Sequence, residues 1–165
     1  MWRLGLAHEL LHNKARCIYT DPNLNSQRWN WHNESTLTFP FESDCSGTET
    51  SLNYFSDCSD PSDIDFYPGN TKTMLHNAYA KKLIIPKAQA LHCDFVFFGP
   101  HADGDTPDHV VSLLQPGTMK NPLCFSMGSS RDPSADPLSV LLGIGAPTYV
   151  RNVTRNRNFV SRSRS

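Results

Sequence analysis

The sequence predicts a single α+β domain in which N-terminal helices pack on a small antiparallel sheet. Helical apolar spacing is confined to residues 4–83, and runs rich in Val, Phe and Leu follow from 94 to 153. The chain of 165 residues, 38% hydrophobic with twelve prolines and nine glycines, suits one loop-rich domain with a real core. It is too short for two ordinary domains, and its composition fits neither a helical bundle nor a disordered chain.

Leu4 to Arg16 reads as an amphipathic helix with Leu6, Leu10 and Leu11 on one side. Cys17-Ile18-Tyr19-Thr20 reads as a short strand or turn, and the polar segment to Pro40 as a loop whose Trp29 and Trp31 are either cover for the core, the favoured reading, or a platform for a ligand. A helix is expected from Cys45 to about Phe55, with Thr48, Leu52 and Phe55 facing inward. The aspartate-rich segment 57–65 lacks the central glycine and closing glutamate of an EF-hand, so it is expected to be a solvated loop. A second helix is expected over Thr71 to Leu83, ending at Ile84-Ile85-Pro86. Strands are then expected at 94–98, 109–114, 123–127, 138–142 and 148–153, forming a meander.

Five scattered cysteines with no Cys-x-x-Cys pair fit a reducing compartment better than a disulfide scaffold. His92, Cys93, His101 and His109 lack the short-spaced pairs of a zinc site, so no metal is expected. No segment is apolar enough to span a membrane, and the start lacks the pattern of a secretory signal. Asn33-Glu34-Ser35 and Asn152-Val153-Thr154 match the glycosylation pattern and are read as chance matches.

The net charge of −1 hides an asymmetry. Residues 151–165 carry five arginines and no acid, and the ten basic and sixteen acidic groups remaining in 1–150 leave the body at −6. The basic tail is expected to be disordered, and it is either a solubilising end or a tether to an anionic polymer such as cell-wall teichoic acid or nucleic acid. If it is a tether, a 1–152 truncation will bind cell walls more weakly than the full chain at low salt. Equal binding would contradict the tether.

The most informative run is Asp44-Cys45-Ser46-Gly47, which sets a cysteine at the expected start of a helix. A helix N-terminus favours the nucleophilic thiolate. Sixty-four residues later Asp108-His109-Val110-Val111 opens an expected strand with a histidine, which completes a candidate acyl-transfer pair. Asp44 is expected to cap the helix. Ser46 and Gly47 allow the close backbone approach that a substrate carbonyl requires.

In order, the chain presents a helix, Ile18-Tyr19-Thr20, Asp44-Cys45-Ser46-Gly47 opening a helix, the strand Asp94-Phe95-Val96-Phe97-Phe98-Gly99, and His109-Val110-Val111. This order resembles that of the NlpC-type papain-like cysteine peptidases that cut peptidoglycan stem peptides. It is more narrowly similar to the N-terminal peptidase domains of actinobacterial phage endolysins (lysin A). The resemblance covers about residues 4–153 and implies a peptidase domain over 1–153, followed by the basic tail 154–165.

It implies Cys45 as nucleophile, His109 as general base and Tyr19 as the nearest match to a tyrosine that shapes the site. The residue that orients the imidazole is left open. Where relatives show a Ser-His-Gly-like segment, this chain has Ser126-Met127-Gly128, and a methionine cannot usefully hydrogen-bond an imidazole. Ser126, on the opposite face of the strand, is the first candidate, with Ser130 and Asp132 as others. A second departure is His92-Cys93, standing where relatives have Pro-Gly.

The expected activity is therefore hydrolysis of an amide in the peptidoglycan stem peptide, without a cofactor. The partners are that peptide and, through the tail, an anionic wall polymer; membrane and nucleic acid are not expected. The resemblance implies accumulation in the host cytoplasm with release through holin pores, or a place in the virion. Two alternatives stand beside it: a catalytically silent wall-binding or structural module of the same fold, and a Cys/His-dependent amidase that cuts between sugar and peptide.

Overall fold

The computed structural model describes residues 3–20, 31–66, 69–99, 107–128 and 133–154. The basic tail, Trp29, His101, Ser130 and Asp132 lie outside these residues. The described chain is a mixed α+β fold. Its elements run α1 (Arg3–His12), β1 (Cys17–Tyr19), β2 (Phe41–Ser43), α2 (Cys45–Phe55), α3 (Thr71–Ala80), β3 (Ile84–Ile85), β4 (Phe95–Phe98), β5 (His109–Leu113), β6 (Leu123–Ser126), β7 (Ser134–Pro137), α4 (Leu138–Leu141) and β8 (Pro147–Val150). No helix among the described residues is long and apolar enough to cross a membrane.

Six strands form an antiparallel sheet in the order β3-β8-β4-β5-β6-β7, and β1 and β2 form a separate parallel pair. Strands β4 to β6 follow one another as in the expected meander; β7 continues it from a segment not expected to be a strand, and β8 leaves it by returning to the far side of β4. All residues of β4 and β5 are buried, because both faces of the sheet are covered. On one face Phe95, Phe97, Val110 and Val150 meet Met74 and Ala78 of α3 and Cys45 of α2. On the other, Val96, Phe98, Val111, Leu113 and Cys124 meet Leu138 and Leu141 of α4. A third cluster joins Leu6 and Leu10 of α1 to Trp31, Phe41, Leu52, Phe125 and Met127. Trp31 is thus core cover, as expected, and each fully buried phenylalanine contributes roughly 1.5–3 kcal/mol.

Helix α2 has the expected bounds but an unexpected setting: every residue from Cys45 to Asn53 is buried. Its small polar side chains survive there by bonding back to the helix. Thr48, Thr50 and Ser51 hydroxyls donate to the carbonyls of Asp44, Ser46 and Thr48 at 2.7–2.8 Å. Small residues satisfied in this way let the sheet and α1 approach the helix from several sides.

Three local expectations need correction. Residues 138–141 form a helix rather than a strand. Pro137 precedes the first turn with fixed φ, Asn121 Oδ1 accepts from the Ser139 amide at 2.9 Å, and Leu138 and Leu141 point inward at a spacing of three. The strand lies just before it, at Ser134–Pro137. The first helix breaks after His12, where Asn13 folds its side-chain amide onto the Glu9 carbonyl and a 3₁₀ turn follows over Lys14–Arg16.

Helix α3 stops at Ala80 in a Schellman motif. Lys82 takes φ 56°, Leu83 N–H donates to the Ala78 carbonyl and Lys82 N–H to that of Tyr79. Because exposed Lys82 holds a left-handed conformation that favours glycine, Lys82→Gly should stabilise the domain by about 0.5–1 kcal/mol. A higher urea midpoint at unchanged m-value would show it; an unchanged or lower midpoint would contradict it.

Candidate active site

Asp44 is the N-cap of α2, as expected. Its Oδ1 accepts from the Gly47 amide at 2.6 Å and from the Ser46 hydroxyl at 3.1 Å. A capping interaction of this kind is worth about 1 kcal/mol, and here it fixes the first turn that carries Cys45. Tyr19 pairs with Ser43 across β1 and β2, which sets the tyrosine beside the segment leading into that turn.

Cys45 is buried against β5, with its thiol meeting the backbone amide of Val110 as well as that of Ser46. These amides favour the thiolate, yet burial and the neighbouring Asp44 carboxylate outweigh them and push the thiol up to about 12. The helix terminus favours the thiolate as expected, but desolvation prevails over it, and Cys45 rests as a neutral thiol.

His109 opens β5 directly before Val110. Its Nε2 is 2.8 Å from Ser126 Oγ on β6, so the structure brings these two candidate residues together. Burial lowers the imidazole to about 4, opposed by the negative charge of Asp136 on β7, and His109 is neutral at pH 7. Asp136 in turn accepts from the Ser134 hydroxyl at 2.5 Å. Met127, next to Ser126, leaves the strand on the other side, where its sulfur lies 3.2 Å from Thr48 Oγ1. That alternation is why Ser126, and not Met127, reaches the imidazole.

The same alternation separates the expected pair. Val110 packs in the cluster that holds Cys45, whereas Val111 and Leu113, which share a strand face with His109, pack in the cluster of α4. Thiol and imidazole thus sit at the same end of β5 but leave it on opposite sides, and no hydrogen bond joins them among the described residues.

One turn beyond Cys45, Glu49 is paired with Arg3 of α1, both almost fully buried. Arg3 also donates to Asn53 Oδ1 at 2.5 Å and lies 5.1 Å from the centre of the Phe95 ring. Burial raises the Glu49 carboxyl, while Arg3 and Ser112 work to keep it charged. Sequence reasoning missed Arg3, Glu49 and Asp136, because no local pattern marks partners 46 or 27 residues apart.

A cavity of about 290 Å³ opens on the Cys45 face of the sheet. Met74, Ala78, Phe95 and Phe97, which pack with Cys45, also line it, and Lys81 and Arg151 stand among its polar residues. No group of three metal-ligating side chains occurs among the described residues. No protein-family model, curated protein or solved structure matches the chain.

Proposed function

We propose that the domain has a papain-like NlpC-type fold and hydrolyses an amide in the stem peptide of bacterial peptidoglycan, with Cys45 as nucleophile and His109 as base. The observation that carries this reading is the capped first turn of α2, which presses the Cys45 thiol against the amide next to His109, while Ser126 holds the far ring nitrogen of that histidine. The tautomer that donates from Nε2 to Ser126 leaves the Nδ1 lone pair open for a proton.

Both groups rest neutral, so attack on the carbonyl carbon is coupled to transfer of the thiol proton to His109. His109 then protonates the leaving amine, and water attacks the thioester with the same histidine as base. Amides of the first turn of α2, that of Cys45 included, would hold the oxyanion. Substrate binding has to bring the imidazole across the start of β5 to the thiol. The cavity on the same face of the sheet, walled by Phe95 and Phe97, offers an apolar wall for the peptide.

The separation of thiol and imidazole across β5 favours a second reading, a wall-binding module that retains the residues without the reaction. Incubating purified walls with the protein separates the two. Release of soluble fragments supports the hydrolase, and binding without release supports the module. Fragment masses tell an endopeptidase, which leaves part of the stem on the glycan, from an amidase, which frees the whole stem.

A further inference from the structure

The cavity of about 290 Å³ on the α3 side of the sheet is floored by Met74, Ala78, Leu83, Phe95, Phe97 and Val150. A cavity of about 150 Å³ holds a benzene ring, so this floor has room for about ten to twelve carbon atoms. Hydrogen bonds of the chain itself tie the walls together. Asn77 Nδ2 of α3 donates to the Pro61 carbonyl at 2.9 Å, the Ser59 amide to the Val153 carbonyl at 2.7 Å, and the Arg151 amide to the Leu83 carbonyl at 2.8 Å. A pocket braced in this way loses little conformational freedom when it is filled.

The rim selects by the hydrogen-bonding capacity it still has to give. Asp60 accepts backbone amides at both carboxylate oxygens, Ser62 on Oδ1 at 3.0 Å, and Ile64 and Phe66 on Oδ2 at 2.6 and 2.8 Å. The Asn152 side chain is committed to Asn53 and to the Cys93 carbonyl. Lys81 pairs with Asp63 at 2.8 Å, but the two side chains are 46% and 61% exposed, and an exposed pair is worth little. Arg151 is anchored by Asp94 at 2.8 Å and by the Gln89 carbonyl at 2.7 Å, and a guanidinium carries N–H groups beyond those two bonds. The cations lining the cavity thus have donors to give, while the Asp60 carboxylate is committed to its own loop.

We propose that this cavity is a binding site for an apolar carboxylate. The hydrocarbon body lies on Phe95 and Phe97 against Met74 and Ala78, and the carboxylate displaces Asp63 from Lys81, with Arg151 as the second cation of the rim. A fatty acid and the free C-terminus of an apolar peptide present the same chemistry. Binding here needs no turnover, so its failure is distinct from a failure of the proposed hydrolysis.

The test is isothermal titration of the full chain with decanoate below its micelle concentration, with decylamine, and with acetyl-Leu-Phe carrying a free C-terminus. Decanoate should bind with a Kd of about 0.1–1 mM. Decylamine, which has the same body and a cationic head, should bind at least about tenfold more weakly. Lys81→Ser should weaken decanoate about 5- to 20-fold at unchanged Tm, because it removes an exposed charge-assisted bond. Ala78→Leu, which fills the floor, should abolish binding, with thermal unfolding as the control for the fold. Tighter binding of acetyl-Leu-Phe than of decanoate, weakened by the same substitutions, would assign the carboxylate to a peptide end. The proposal is overturned if decylamine binds as tightly as decanoate, if binding is unchanged in either folded variant, or if neither carboxylate binds.

Discussion

Replacing Arg3 by methionine should destabilise the domain by about 3–5 kcal/mol, the range for removing one partner of a buried ion pair. Arg3 and Glu49 are 4% and 1% exposed, so water cannot replace the lost cation. Glu49 would keep Ser112 as a hydrogen-bond partner but would be driven toward its neutral form, and Asn53 Oδ1 would lose its bond from Arg3 Nε. Urea unfolding of wild type and variant measures the effect. Exchanging both partners together, Arg3→Met with Glu49→Leu, should recover much of the loss, because the unpaired buried charge is then gone. A loss below about 1 kcal/mol in the single variant would show that the pair is solvated and the helix contact between α1 and α2 is less dry than described.

Substituting glutamine for His109 should lower the rate of wall hydrolysis by about 100- to 10,000-fold, the usual range for a positioned acid–base group. The same substitution has a stability signature that does not depend on activity. The imidazole titrates near 4 in the fold and near 6.5 when unfolded, so the unfolded chain takes up the proton first as pH falls. The stability of the neutral buried ring is therefore complete above pH 6.5 and declines as pH falls toward 4, by about 3 kcal/mol. In His109→Gln this decline between pH 6.5 and 4 should flatten while the carboxylate-driven loss at lower pH remains. Unchanged pH dependence would place His109 in water rather than beneath Ser126.

Much of the frame was legible in the sequence because local signals and burial agreed. The Asp44 cap set the start of α2, and the continuous apolar runs at 95–98 and 109–113 marked strands covered on both faces. Where the reading failed, tertiary context had outweighed a local pattern. Leu138–Leu141 is too short for periodicity to separate strand from helix, and Pro137 with Asn121 decided it. Ser134–Pro137 carries no apolar alternation because it is an edge strand, paired only with β6.

The candidate site divides in the same way. Strand parity with Met127 made Ser126 one of three candidates to meet His109, and the structure shows that hydrogen bond, while Ser130 and Asp132 lie outside the described residues. The state of Cys45 was not, because a helix terminus is visible in sequence whereas the desolvation that outweighs it comes from Met74, Phe97 and Val110, far along the chain. The side of β5 on which each group emerges likewise depends on which helix covers which face.

Wall digestion by wild type and by Cys45→Ala, with mass spectrometry of the soluble fragments, tests the central claim most directly. The buried thiol makes alanine a small change of volume, and matched thermal unfolding of the two proteins verifies the fold. The account predicts stem-peptide fragments from the wild type alone, with release by Cys45→Ala reduced at least about 1,000-fold. Equal release by both proteins, or firm wall binding with no release by either, would contradict Cys45 as the nucleophile of a peptidoglycan hydrolase.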